Sequence, residues 1–214
     1  LTAAILQKPQ PAVRQATSIL SMWDDRALVE ALLRGHPAAK AELFDRYAHH
    51  VERTLLRILG NDRDRADLLH EVFARSLAAL ETLEDPCALK GWLTGIAVLT
   101  ARECIRRRVR GRWLRFFASE DLPEIESVTA DDETRQALRV TYAVLDRLGA
   151  DDRIAFTLRF FEGLEVVSIA VACGVSINTA KRRIARAEGR FLAMAQREPA
   201  LRGWLEGGTR WKRS

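Results

Sequence analysis

The residues of this 214-residue chain best suited to chemistry lie in one short stretch. There the short polar side chains of Ser176, Asn178 and Thr179 are followed closely by the cations Lys181, Arg182, Arg183 and Arg186. In a helix opened by Ser176 they fall largely off the stripe formed by Ile177, Ala180, Ile184, Ala187, Phe191 and Met194, which recur at steps of three and four. The chemistry on offer is non-covalent. Polar groups at a helix N-terminus can meet base edges in a major groove, with cations placed for the flanking phosphates. The plainer alternative is a helical hairpin whose basic residues are simply solvated.

A second cluster suggests different chemistry. Asp67 and His70 have the i, i+3 spacing of carboxylate-histidine pairs in metal-dependent helical bundles, and Glu42, Asp45 and His49 could share a face of a neighbouring helix. Such a site needs the pair on two helices, and the sequence has one good copy, so solvated helix charges compete with it. No Ser-His or Cys-His arrangement with recognisable context and no glycine-rich loop occurs, which argues against a nucleophilic or phosphate-cradling enzyme. The reading is of a non-enzyme with no cofactor.

Charge is segregated along the chain. Between Arg102 and Arg115 there are seven arginines and one acid, whereas Glu120 to Glu133 holds seven acids and no base, against a net charge of +5. Such blocks suit a polyanion partner for the cations, with shielding or mimicry by the acids. Cys87, Cys104 and Cys173 are odd in number and set among apolar neighbours, and they read as reduced core thiols in a cytoplasmic protein. With no apolar run long enough to span a bilayer, a soluble chain is expected.

The elements that must position these groups read as helices almost throughout. Asp24 or Asp25 can cap a first helix that Gly35 ends, and Pro37 opens a second, which carries Leu43, Phe44, Tyr47, Val51, Leu55, Ile58 and Leu59 inward until Gly60. A third, over 63–80, turns Ala66, Leu69, Val72, Phe73, Leu77 and Leu80 to the core. After the break at Asp85-Pro86, a fourth over 89–109 begins with Trp92, Leu93, Ile96 and Leu99 and finishes as a cationic rod. Trp92, on that apolar stripe, reads as core and not as a base-stacking platform. Helical spacing resumes over 135–148, Asp151 can cap a helix to Phe161, and a turn at Gly174 leads into the helix opened by Ser176, which makes a helix-turn-helix. The fold class is therefore all-α: an N-terminal helical bundle (24–111) and a C-terminal helix-turn-helix domain (135–196), joined by a flexible acidic linker (112–134). A disordered leader, upstream start or cloning remnant (1–23) and a basic tail (197–214) flank them. The linker could span roughly 70 Å when extended, which would let the two halves sit well apart on one partner.

The ordered set RADLLHEVFARSLAALETL, ALKGWLTGIAVLTARECIRRRVR, an acidic linker and ADDRIAFTLRFFEGLEVVSIAVACGVSINTAKRRIARA resembles the small, two-domain extracytoplasmic-function sigma factors of bacterial RNA polymerase over about 25–194. The resemblance implies a factor that directs core RNA polymerase to promoter DNA and helps melt it. Asp67, His70 and Glu71 would then dock on the clamp coiled coil of the large polymerase subunit, with His70 replacing the usual glutamine. Lys90, Arg102, Arg106, Arg107, Arg108 and Arg110 would serve the −10 element and melting, although Val98-Leu99 replaces the family's common Arg-Asn. Ser176, Asn178, Thr179, Lys181, Arg182, Arg183 and Arg186 would read the −35 element, with Arg182 an added cation where a small residue is usual. The family often has acids in the preceding helix. Here Val167, Ser168 and Val171 leave it apolar nearly all round, so cover is expected from the bundle or from an anti-sigma protein. A helix-turn-helix regulator that acts without polymerase is the competing reading.

Overall fold

The computed structural model describes residues 23–60, 62, 64–114 and 132–202 of the chain. All the regular elements among them are helical: α1 (Asp25–Leu33), α2 (Pro37–Leu59), α3 (Arg65–Ala78), α4 (Leu89–Leu114), α5 (Asp132–Leu145), α6 (Ala150–Phe160), α7 (Val166–Cys173) and α8 (Ile177–Ala195), with 3-10 turns at Leu80–Thr82 and Pro86–Ala88.

The boundaries follow local chemistry. Asp24 Oδ1 accepts from the Ala27 amide at 2.7 Å, so a side-chain oxygen satisfies one of the orphan donors of α1. Pro37 sits in the first turn of α2, where its missing N–H costs nothing, and Gly60 ends the helix at φ 79°. Asp151, expected as a cap, lies instead in the first turn of α6 behind Gly149 at the cap position. There its charge complements the helix dipole and its side chain is left for other partners.

Helices α1 to α4 bury one core in which Leu28, Leu43, Val51, Leu55, Ile58, Leu89 and Leu93 are essentially solvent-free. Each large side chain contributes about 1.5–3 kcal/mol through burial. Several inward assignments need correction. In α3 it is Leu68 that is buried, while Ala66 is exposed and Leu69 only half-buried. In α4 Val98 is buried and Leu99 is 46% exposed, because α4 is covered on two sides and its buried arc shifts toward α7. Cys104 and Cys173 are buried, but Cys87, in a 3-10 turn, is an exposed thiol.

The linker's length would let the halves sit well apart on one partner; in this structure α6 and α7 pack on α2 and α4, and one continuous core joins Leu55, Ile58, Leu93 and Ala97 to Ile154, Leu158, Ile169 and Ala172. Gly95 lies at the approach of α4 to α7, where a Cβ would make ordinary van der Waals contact with the Ala172 carbonyl oxygen at 3.7 Å. Polar ties reinforce it. Buried Arg153 donates from Nε to the Ile58 carbonyl at the end of α2 (2.7 Å) and pairs with Asp146, and Arg57 pairs with Glu162 at 2.6 Å. Tyr142 of α5 lays its ring on Gly60 and directs its hydroxyl at the Leu56 and Arg57 carbonyls. A second cluster, including Leu145, Phe156, Ala187 and Phe191, holds α5, α6 and α8 together. Most of the acidic linker (112–134) and the whole of the basic tail beyond 202 lie outside the described residues; the linker's first three residues complete α4 and its last three open α5.

Candidate nucleic-acid interface

The α7 to α8 turn has the chemistry a helix-turn-helix requires. Gly174 adopts φ 64°, ψ 41°, the left-handed conformation that spares a side chain its clash, and the Val175 amide returns to the Ala170 carbonyl at 3.0 Å. Ser176 Oγ accepts from the Thr179 amide at 3.2 Å and also bonds the Thr179 hydroxyl. Ala180, Ile184, Ala187, Phe191 and Ala195 form the buried stripe, whereas Ile177, expected on it, is 44% exposed.

Opposite that stripe the α8 surface is open. Ser176, Asn178, Lys181, Arg182 and Arg186 are exposed, and Thr179 and Arg183 are half-buried. At 100° per residue, Asn178 and Arg182 stand nearly diametrically across from the buried face, and the next positions outward, Ala185 and Gly189, are small. Arg183 and Arg186 lean toward α6. Arg186 makes a two-pronged contact with Asp152, Nε to Oδ2 at 2.8 Å and Nη2 to Oδ1 at 2.5 Å, and Arg190 approaches the same carboxylate at 3.5 Å. The Asp152 hydrogen bonds and charge raise the Arg186 pKa, fixing it as a cation.

The cations of α4 divide into two sets. Lys90, Arg107 and Arg110 are exposed and make no ion pair among the described residues. Arg102, Arg106 and Arg108 are engaged: Arg108 pairs with buried Asp62 and with Asp64 at 3.6 Å, bracing α4 against the start of α3. Arg102 Nε lies 2.9 Å from Asp151 Oδ1 and its Nη2 donates to the Cys173 carbonyl at 3.2 Å, while Arg106 reaches Asp151 Oδ2 at 3.2 Å. Arg183 of α8 reaches that same Oδ2 at 3.5 Å.

Asp151 thus gathers arginines from both sets predicted to hold DNA. Because Arg106 and Arg183 touch one oxygen at 3.2 and 3.5 Å, their guanidinium nitrogens lie within about 7 Å of each other. Sequence reading took Asp151 only as a helix cap and gave Asp152 no role. The only local signal was an acid pair in a first turn, and its arginine partners lie tens of positions away in the chain.

On α3, Asp67 and His70 are exposed one turn apart, with the His70 ring stacked near Phe44 at a centroid separation of 6.2 Å. Glu71 on the same face is tied to Arg75 at 2.6 Å, which also holds Glu103 at 2.6 Å. The metal-bundle alternative finds little here. Glu42 is committed to Arg46 at 2.5 Å, and among the described residues no group of three or more His, Cys, Asp or Glu side chains could hold a metal ion. On α7 the bundle covers Ile169, Ala170, Ala172 and Cys173, but the expected cover stops there, leaving Val167 and Val171 57% and 73% exposed. No helix among the described residues is long and apolar enough to cross a membrane.

Comparison with known proteins gives the family. Residues 43–113 match the model for Sigma-70 region 2, and residues 138–190 match that for Sigma-70, region 4. The chain is 29% identical over 181 residues to RNA polymerase sigma-H factor of Pseudomonas aeruginosa, a match covering 79% of this chain and 92% of that protein. It is 30% identical over 175 residues to the ECF RNA polymerase sigma-E factor of Escherichia coli K12, covering 76% of this chain and 90% of that one. In fold it is similar to the sigma factor RpoE of Bartonella quintana, solved with the anti-sigma factor NepR, with TM-score 0.56 and 20% identity over 72% of this chain and 95% of that one. With region 2 in the α2–α4 bundle and region 4 in the helices that carry the Ser176-capped turn, the chain belongs to the extracytoplasmic-function sigma factors, which are not enzymes but direct core RNA polymerase to promoter DNA.

Proposed function

We propose that the work of this sigma factor divides between residues 24–111, which hold core polymerase and the −10 element, and residues 135–196, which read the −35 element. The observation that carries the second assignment is the exposed crest of α8. Asn178 and Arg182 project opposite the buried stripe, behind a capped N-terminus, with small neighbours that allow close approach to base edges. Ser176, Thr179 and Lys181 flank them, and Arg183 and Arg186 are phosphate-directed cations once released from Asp151 and Asp152.

In the leading half, Lys90, Arg107 and Arg110 offer exposed cations for a displaced strand, and Arg102 and Arg106 add to them when Asp151 withdraws. Arg108, braced by Asp62, acts chiefly by aligning this rod. Exposed Leu99 supplies an apolar contact for an unstacked base, whereas Trp92 packs on the core. Asp67, His70 and Glu71 form the polymerase-docking face, where rim charges set encounter rate and register. The protein acts in the cytoplasm, and the uncovered Val167 and Val171 offer an apolar surface to an anti-sigma protein.

Reconstituted transcription tests the reading. With core enzyme, the chain should yield discrete promoter-specific transcripts, and Asn178→Ala with Arg182→Ala should abolish them while leaving core binding intact. Full transcript yield from that double variant would refute the assignment of the α8 crest.

A further inference from the structure

Resting on that reading of the two DNA-holding surfaces, we propose that Asp151 is an intramolecular substitute for a DNA phosphate: it holds Arg102 and Arg106 of α4 together with Arg183 of α8, and so latches the sigma factor in a closed form that must open before both halves can grip one promoter. A carboxylate and a phosphate present the same oxygens to a guanidinium fork, so one anion can displace the other from these arginines.

Geometry makes the closed and promoter-bound forms exclusive. Elements named for positions −10 and −35 lie about 25 base pairs apart, roughly 85 Å along a duplex at 3.4 Å per pair. The Arg106 and Arg183 nitrogens, one from each half, lie within about 7 Å of each other because both touch Asp151 Oδ2 at 3.2 and 3.5 Å. One rigid body with this arrangement cannot place both sets on their elements.

The form of the latch suits release. Asp151 is only partly covered, its carboxylate 28% exposed, and Arg106 is 55% exposed, so a polyanion can reach the hub from solvent. Three arginines face this one carboxylate, and the excess positive charge draws further anions to the seam. Beneath it, Gly95 faces Ala172 so closely that a Cβ would already be in van der Waals contact with the Ala172 carbonyl oxygen at 3.7 Å, and the bulk of a leucine beyond that Cβ offers a second, uncharged way to part the halves. Asp152 has a different position: its partners Arg186 and Arg190 lie in its own half, so it braces α8 and does not join the halves.

The test uses the full chain and separates opening from promoter function. Small-angle scattering, without DNA or polymerase, measures the radius of gyration of the unaltered chain, of Asp151→Lys and of Gly95→Leu, with far-ultraviolet dichroism as the check that helices persist. Both variants should be expanded at low salt while the unaltered chain is compact. In parallel, binding of an unrelated 60-base-pair duplex should tighten about tenfold in Asp151→Asn. It should change less than twofold in Asp132→Asn, which removes the same charge from a carboxylate 95% exposed. Helical but equally compact Asp151→Lys and Gly95→Leu proteins, or equal tightening in both asparagine variants, would overturn the latch. Expansion of these variants in a chain that never supports transcription with core enzyme would keep the latch and refute the assigned promoter function.

Discussion

Replacing Gly60 by alanine should be one of the most damaging single-methyl additions in the molecule. Gly60 ends α2 at φ 79°, ψ −160°, a region essentially closed to residues with a Cβ, at a cost of about 1–3 kcal/mol. The added carbon would also sit 3.0 Å from Cδ1 and 3.2 Å from Cε1 of Tyr142, closer than carbon atoms pack, and the ring cannot easily retreat because its hydroxyl is directed at the Leu56 and Arg57 carbonyls. Moving it forfeits about 1 kcal/mol more in packing and hydrogen bonding. A total near 3 kcal/mol lowers the midpoint of thermal unfolding by about 6–12 °C in a chain of this size. Circular dichroism melts of Gly60→Ala, Tyr142→Ala and the double variant form a cycle in which the pair should be coupled by about 1 kcal/mol, since removing the ring relieves the clash but not the backbone. A fall of less than about 2 °C in Gly60→Ala would refute both the strain and the close inter-half contact.

Other consequences are equally open to measurement. Ser176→Ala removes the oxygen that caps α8 and should cost about 1 kcal/mol, read as a drop of about 2–4 °C in the unfolding midpoint together with weaker sequence-specific duplex binding. Arg182→Ala, at an exposed crest position, should relax base preference at one −35 position by about 1–3 kcal/mol if it reads guanine, or reduce the salt slope by about one if it meets only phosphate; binding-site selection against salt titration separates these. His50 should stay neutral unusually far into acid. Burial, then the charges of Lys90, Arg53 and His49, lower its pKa to about 4, and its Nε2 donates to Thr94 Oγ1, which itself donates to the Lys90 carbonyl. With the folded pKa below the unfolded value, the unfolded chain takes up the proton first, so this contribution is complete above pH 6.5 and is lost as pH falls toward 4. Proton NMR should place the titration, and His50→Gln should flatten that limb of the stability profile. Tyr47 behaves in the opposite direction: burial and its hydrogen bond to Asp25 raise it to about 12, so the stability it confers is lost as pH rises from 10 through 12, visible in the ultraviolet absorbance of tyrosinate.

The amino-acid sequence alone determined the helices, their order and the recognition turn, because those features are written in residues close together in the chain. Asp24 and Ser176 open helices through bonds spanning a few residues, Pro37 opens one through its fixed φ and missing N–H, Gly174 closes one, and the stripe from Ala180 to Phe191 is a periodicity that any helix converts into a face. The crest of α8 was legible for the same reason: what remains when one face is apolar must point outward. Tertiary structure decided the rest. That Leu68, and not Leu69, enters the core, and that Val98 is buried while Leu99 is exposed, depends on the angle at which neighbouring helices cross. That Gly95 lies under Ala172, and that Asp151 meets Arg102, Arg106 and Arg183, depends on residues tens of positions apart arriving at one place. No local rule encodes those pairings, because a charge on a solvated helix turn has the same sequence signature whether water or a distant arginine completes its shell.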